Sequence, residues 1–314
     1  MSTGPRVGGV HQPGQPTAPI GPRSPARAWH DAPVTGTLIT VAPTGAESDK
    51  SDVPALPVTV QELVETAQDC EAAGAAMIHI HVRDGGARPT LDLGYVREAL
   101  SSVREATDLV IQVSTGGAVT DGAEARVAVL DADPDSASLT CGTVNFGDDV
   151  FLNPWDLIER LYLAMRERAV VPEFEIFDLG QLTTLSRLLD KHGAPYGGHV
   201  HCDLVMGVPG GMPATAQALV ACVAALPEGA TWSATGVGRG TLPVMLAALS
   251  CGGHLRVGME DTLTFAPGQP VQSNGQLVRR AAALATTALR PPLTPGEARA
   301  MLGIKDRRSA DTRG

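Results

Sequence analysis

A chain of 314 residues with 43% hydrophobic and 18% charged side chains can bury a large core, and its formal net charge of −10 excludes a polyanion as the partner of its surface as a whole. No apolar run reaches the roughly 18 residues of a membrane span, and the first residues read as no secretory signal because they contain no apolar core. The five cysteines (Cys70, Cys141, Cys202, Cys222 and Cys251) are scattered without a CxxC, as expected of reduced thiols in the cytoplasm.

Residues 1–36 are rich in Pro, Gly, Ser and Arg and are expected to form a disordered tail. A folded region over 37–305 begins with the strand-like LITVAP from Leu38. Glu47 lies in the loop that follows. TVQELVETAQDCEAAG then reads as a helix: Thr59 and Glu62 form a capping box, Val60, Leu63, Val64 and Ala67 form an apolar stripe, and Gly74 ends it. Next comes MIHIHVRD from Met77, a buried strand by its aliphatic content. Side chains alternate along a strand, so His79, His81 and Arg83 share one face. Two histidines at i and i+2 can hold one metal ion or can be hydrogen-bonded core residues, and the pair alone does not decide.

A helix starts near Leu91, and DLVIQVSTGGA from Asp108 places Ser114, Thr115, Gly116 and Gly117 after a third strand. Backbone amides of such a loop can hold an anion. Beyond a helix near Gly122, SASLT from Ser136 leads to Thr143 and Asn145. Following a helix near Asn153, EFEIF from Glu173 leads to Asp178. A helix near Gly180 precedes HVHCDLVM from His199, a second HxH (His199 and His201) that competes for the metal role. After a helix near Pro213, TWSAT from Thr231 leads to GVGRG with Gly238 and Arg239. A helix from Thr241 precedes HLRVG from His254, which carries Arg256 and ends at Glu260 and Asp261; a last helix starts near Asn274. Residues 306–314 are expected to be a flexible C-terminus.

Eight strand–helix pairs predict an α/β protein with a (β/α)8 barrel. The rival, a doubly wound open sheet, lacks a GxGxxG after the first strand. In a barrel the carboxyl ends of the strands collect at one mouth. A carboxylate at Glu260 or Asp261 can then complete a two-histidine, one-carboxylate metal site with open positions. By composition alone that acidic pair reads as a solvated turn.

The stretches TGAESDKSDVPALPVT, AAMIHIHVRD, IQVSTGGAV, LTCGTVNFGDDVFLN, VPEFEIFDLG, GVPGGM, GVGRG, GGHLRVGMED and SNGQLV resemble the β-keto acid cleavage enzymes, above all those acting on 3-keto-5-aminohexanoate in lysine degradation. The resemblance runs over 38–303 and rests on HxHxRD combined with GGHxRxGxED. It implies a TIM barrel with one Zn2+ and an exchange in which a β-keto acid and acetyl-CoA give acetoacetate and a new acyl-CoA, such as 3-aminobutyryl-CoA. By matching position, His79, His81 and Glu260 would hold the zinc, and Asp261, Arg256 and Ser114 would be catalytic. Thr115, Gly116, Gly117, Thr143 and Asn145 would line the substrate pocket. Glu47 would receive the substrate's amino group, and Gly238 and Arg239 would meet CoA. A homo-oligomer, such as a tetramer, is also implied. Two histidines and a glutamate suit Zn2+ without excluding Mn2+, Co2+ or Fe2+.

Three positions depart from the family pattern: Asp178 as a shorter acid after the fifth strand, Gly240 for a bulky residue, and Asp203 for an amide. Two other readings stand beside this one. A metal-dependent barrel hydrolase of a lactone or amide would draw on His199 and His201, and a non-catalytic CoA-binding protein would tolerate loss of the histidines. Nothing favours nucleic acid or membrane as a partner.

Overall fold

The computed structural model describes residue 1 and residues 36–305. The chain divides into units Met1–Ala32 and Pro33–Gly314, and the described elements lie in the second. The tails expected at 1–36 and 306–314 fall outside the described residues, apart from residues 1 and 36.

Eight parallel strands alternate with helices: β1 Ile39–Val41, α1 Val60–Ala72, β2 Met77–Ile80, α2 Leu93–Ala106, β3 Val110–Val113, α3 Ala123–Ala128, β4 Ser136–Thr140, α4 Trp155–Glu167, β5 Val171–Ile176, α5 Leu179–His192, β6 His201–Met206, α6 Ala216–Val223, β7 Thr231–Gly236, α7 Thr241–Ser250, β8 His254–Val257 and α8 Asn274–Thr287. Each strand pairs with its neighbours in sequence, and β1 pairs with both β2 and β8, so the sheet closes. The expected barrel is therefore the observed fold. Helix α1 begins as its sequence requires. The Thr59 hydroxyl accepts from the Glu62 N–H at 3.2 Å, and the Glu62 carboxylate accepts from the Thr59 N–H at 3.1 Å. Leu63, Ala67 and Cys70 are its buried face, while Val60 and Val64 are only half-buried.

Some elements were not foreseen. Three short antiparallel hairpins decorate the loops: Val82–Arg83 with Pro89–Thr90, Val144–Phe146 with Asp149–Phe151, and Thr264–Ala266 with Gln269–Pro270. A further helix, α9 (Pro295–Leu302), starts with a Thr294–Glu297 capping box, and its Arg299 donates to the carbonyls of Asp108 and Leu109 at the entry to β3.

The apolar core lies between the sheet and the helices, where Ile78, Ile80, Ile111, Leu139, Phe174 and Leu204 pack. The alternate residues of the strands fill the barrel, and these are largely polar: His79, Gln112, Ser138, Glu173, Glu175, Asp203, Thr235 and Arg256 are all buried. Barrel interiors are usually closed with branched aliphatic side chains. Polar groups taken out of water must find partners.

His254 illustrates the cost. Its Nδ1 accepts from the Leu38 N–H at 3.0 Å, and burial, followed by the Arg290 charge, pushes its pKa down to about 3. The unfolded chain protonates this group near 6.5, so its contribution to stability is complete above that pH and is lost as pH falls toward 3. Buried Glu173, raised to about 8, acts in the opposite sense. The useful quantity is thus the difference between wild type and His254→Gln in urea unfolding. Between pH 7.5 and 4 it should shift against the wild type by about 3 kcal/mol. A pH-independent difference would show that His254 takes up its proton alike in the folded and unfolded chain.

Candidate active site

Strand β2 stops at Ile80, and the chain re-forms a two-residue strand at Val82. His79 and His81 still reach the same place. Their Nε2 atoms lie 3.8 and 3.7 Å from Glu260 Oε1, and the candidate ligand atoms of all three residues fall within 4.8 Å of one another. This is the one such group of His, Cys, Asp or Glu among the described residues. Gln112 gives its amide N–H to Ser136 Oγ at 3.2 Å, so its carbonyl oxygen faces His79 Nδ1 at 2.5 Å. That puts the His79 proton on Nδ1 and leaves the Nε2 lone pair toward Glu260.

Protonation follows from the surroundings. Burial pushes His79 down to about 3 and lowers His81, so both imidazoles are neutral at pH 7. Burial raises Glu260, but the Arg256 charge, then His81 and His79, outweigh it and hold the carboxyl at about 2. Its Oε2 is buried without a hydrogen-bond partner. Two neutral imidazoles and an ionised carboxylate with one unpartnered oxygen form a donor set that fits a divalent ion.

Arg256 rises from β8 into a ring of acids. It donates to Glu260, to both oxygens of Asp261 at 3.1 and 3.3 Å, and to Glu175 Oε1 at 3.3 Å; Asp203 lies 3.9 Å away. Burial works against the guanidinium charge, but these carboxylates more than restore it. Burial pushes Asp261 up to about 7, with Arg256 opposing, and it also raises Glu175.

These groups open into a cavity of about 250 Å³. Ser114, Gly116, Gly117 and Glu47 line it, as do His79, His81, Glu260, Asp261 and Arg256. An apolar lining comes from Phe146, Phe151, Phe177, Val205 and Val208. The loop bearing Glu47 is held by Arg83, whose Nη2 donates to the carbonyls of Gly45 and Ser48 at 2.7 and 2.8 Å. Gly45 has φ +66, and a Cβ there would lie 2.7 Å from Glu260 Cγ, so glycine lets this loop pack against the acid.

Five of the expected site residues do not line the cavity. Thr115 donates its hydroxyl to the Ser138 carbonyl, and Thr143 Oγ1 accepts from the Asn153 N–H. Asn145 is exposed on its hairpin, and Gly238 and Arg239 form an exposed turn after β7. His199 and His201 share Thr231 Oγ1 at the entry to β6, with no part in the His79 cluster. Asp178 caps α5 by accepting from the Gln181 N–H, whereas Glu175, not singled out in the sequence, supplies the acid from the fifth strand. Gly240 is explained by packing: a Cβ would lie 2.5 Å from that of Ala214.

A family model described as beta-keto acid cleavage enzyme matches residues 36–304. The chain is 39% identical to the 3-keto-5-aminohexanoate cleavage enzyme of Acetoanaerobium sticklandii over 85% of this chain and 98% of that one, and 40% identical, with the same coverage, to the enzyme of that name from Fusobacterium nucleatum. It is 37% identical to the 3-oxoadipate:acetyl-CoA acetyltransferase of Cupriavidus necator, over 85% of this chain and 94% of that one. The apo structure of ObcA shares the fold, with a TM-score of 0.70 at 20% identity over 80% of this chain and 66% of that one. With the barrel and its His–His–Glu cluster in place, the match over nearly the whole described region shows that the chain belongs to the β-keto acid cleavage enzyme family.

Proposed function

We propose that the protein exchanges acyl groups between acetyl-CoA and an amino-bearing β-keto acid such as 3-keto-5-aminohexanoate, giving acetoacetate and 3-aminobutyryl-CoA. The observation that carries this reading is the convergence of His79, His81 and Glu260 beside Asp261 and Arg256 in one cavity. His79, His81 and Glu260 would hold a divalent ion, Zn2+ on our reading, which when bound supplies Lewis-acid stabilisation of enolate charge.

Asp261 takes the proton from the carbon between ketone and carboxylate, and Arg256 keeps that acid oriented. The carbanion attacks the acetyl carbonyl, the Ser114 hydroxyl donates to the tetrahedral oxyanion, and CoA leaves as thiolate. The thiolate then attacks the original ketone. The carbon–carbon bond breaks, acetoacetate departs after the carbanion regains its proton, and the acyl group remains on CoA. Glu47 receives the ammonium group. Gly116 and Gly117 line the substrate's path, with Thr115 behind them. Thr143 and Asn145 act through their hairpin, and Gly238 and Arg239 meet CoA at the mouth. We place this protein in the cytoplasm as a homo-oligomer, such as a tetramer. Among the described residues no helix is long and apolar enough to cross a membrane.

The test is mass spectrometry of CoA esters after incubating metal-analysed protein with acetyl-CoA and cationic, neutral and anionic β-keto acids. Acetoacetate plus a matching acyl-CoA is expected. Glu47→Gln should lower kcat/KM for the ammonium acid about tenfold, roughly 1.4 kcal/mol, and leave neutral acids within about threefold. Equal losses for all acids would remove Glu47 from substrate selection. Product without consumption of acetyl-CoA would favour the hydrolase.

A further inference from the structure

Arg126 is a buried cation without a salt bridge among the described residues. It stands on α3 at 3% exposure. Its Nε donates to the Thr115 carbonyl at 2.7 Å, Nη1 to the Leu152 carbonyl at 2.8 Å and Nη2 to Asn153 Oδ1 at 2.5 Å. Its guanidinium also lies 4.8 Å from the centroid of the Phe151 ring. Burial lowers its pKa to about 10, so it is charged at pH 7. Removing a guanidinium from water costs several kcal/mol, and here neutral acceptors, one aromatic face and the more distant charges of Glu175 and Asp121 offset that cost. A core that needed only volume would take leucine or methionine at lower cost.

The acceptors lie behind two walls of the cavity, next in sequence to the lining residues Ser114 and Gly116 on one side and Phe151 on the other. Thr115 follows Ser114 directly, and the Gly116 N–H donates to Ser114 Oγ at 3.1 Å. Leu152 and Asn153 follow the Val144–Phe146/Asp149–Phe151 hairpin. Asn153 is fixed in turn: its N–H donates to Thr143 Oγ1 at 2.9 Å and its Nδ2 to the Phe151 carbonyl at 3.3 Å. The walls also touch, since a Cβ on Gly116 would lie 3.0 Å from Phe151 Cζ and 3.4 Å from Ser114 Oγ. One planar fork therefore sets the register between the glycine loop 114–117 and the Phe151 wall.

We infer that Arg126 is a positioning residue: it clamps the loop after β3 to the hairpin after β4, so that the Ser114 hydroxyl and the Phe151 ring face the reacting carbonyl in one fixed arrangement. This rests on the acyl-exchange reading. Because a misplacement of about 1 Å can cost roughly a hundredfold in rate, the clamp should act on kcat more than on binding. Lysine carries the charge but not the fork, so it cannot serve three acceptors in one plane.

The experiment measures kcat and KM of exchange at 25 °C for wild type, Arg126→Ala, Arg126→Lys and Asn153→Ala, with thermal midpoints as the folding control. Arg126→Ala should lose about a hundredfold in kcat with KM for the β-keto acid within about threefold, and Arg126→Lys should recover little. Guanidinium chloride at low millimolar concentration should restore part of the Arg126→Ala rate, whereas sodium chloride should not. If Arg126→Ala does not fold, Asn153→Ala still removes one acceptor and should lower kcat about tenfold. Folded variants with kcat within about threefold of wild type, or losses that only track the folded fraction, would overturn the assignment. Absence of exchange in wild type itself would overturn the functional reading, and this role with it.

Discussion

Replacing His79 by alanine is expected to lower acetoacetate formation by about a thousandfold or more and to leave the purified protein with little bound metal. The rate estimate follows from the several kcal/mol that a Lewis acid contributes to a developing enolate, at about 1.4 kcal/mol per tenfold. The proposed ligand role also makes the arrangement behind His79 testable. Gln112 faces His79 Nδ1 and is itself oriented by Ser136, so the imidazole has one tautomer and one direction. Gln112→Leu should therefore weaken metal retention by about ten- to a hundredfold while leaving the three ligands in place. Metal content by mass spectrometry and exchange by CoA-ester analysis are the paired readouts. A metal-free His79→Ala protein at full activity would sink the metal reading. Loss of activity with the metal retained would make His79 a base or a hydrogen-bond donor instead.

The histidines were legible because two imidazoles interrupt an otherwise aliphatic strand at a spacing of two. The same alternation was present in EFEIF, where Glu173 and Glu175 flank Phe174, yet it reads as an ordinary polar-faced strand unless the barrel interior is known to be polar. Glu175 was missed for that reason, and Asp178 drew attention in its place. The spacing from Asp178 to Gln181 at the head of a helix is a capping signal, and the structure uses the aspartate in that way. The hairpin after β4 was not foreseen, although NFGDDVF carries its signal: Gly147, at φ +66, and Asp148 form a two-residue turn between paired Phe146 and Asp149. Arg126 was not readable. An arginine in AEARVA looks like a solvated helical residue, and its burial depends on Thr115 and Asn153 reaching it from other loops. Patterns of period two or 3.6 report local faces; they carry no information about which loops meet at the barrel mouth.

Asp261→Asn should lower kcat by about a hundred- to ten-thousandfold, the range for removing a positioned general base. It should leave KM for acetyl-CoA nearly unchanged, because the loss falls on a proton transfer. The pH profile gives the sharper test. Asp261 accepts a proton only when ionised, so the wild-type rate should rise with pH and fall about tenfold per unit below the controlling pKa. Burial pushes that pKa up to about 7, against the Arg256 charge. A divalent ion on the neighbouring Glu260 adds positive charge and moves it lower. The acid limb of the loaded enzyme should therefore lie below 7, and Asp261→Asn should abolish it. Glu175 is the competing base: it also touches Arg256, lines the cavity and is raised by burial. Glu175→Gln should slow the reaction and keep the limb, since it alters only the setting of Arg256. A limb that survives Asp261→Asn and vanishes in Glu175→Gln would exchange the two roles. Among the acids around Arg256 the shared guanidinium makes that reversal the nearest alternative, because Glu260 belongs to the proposed metal site and Asp203 is buried outside the cavity lining with its Oδ2 taken by Thr235.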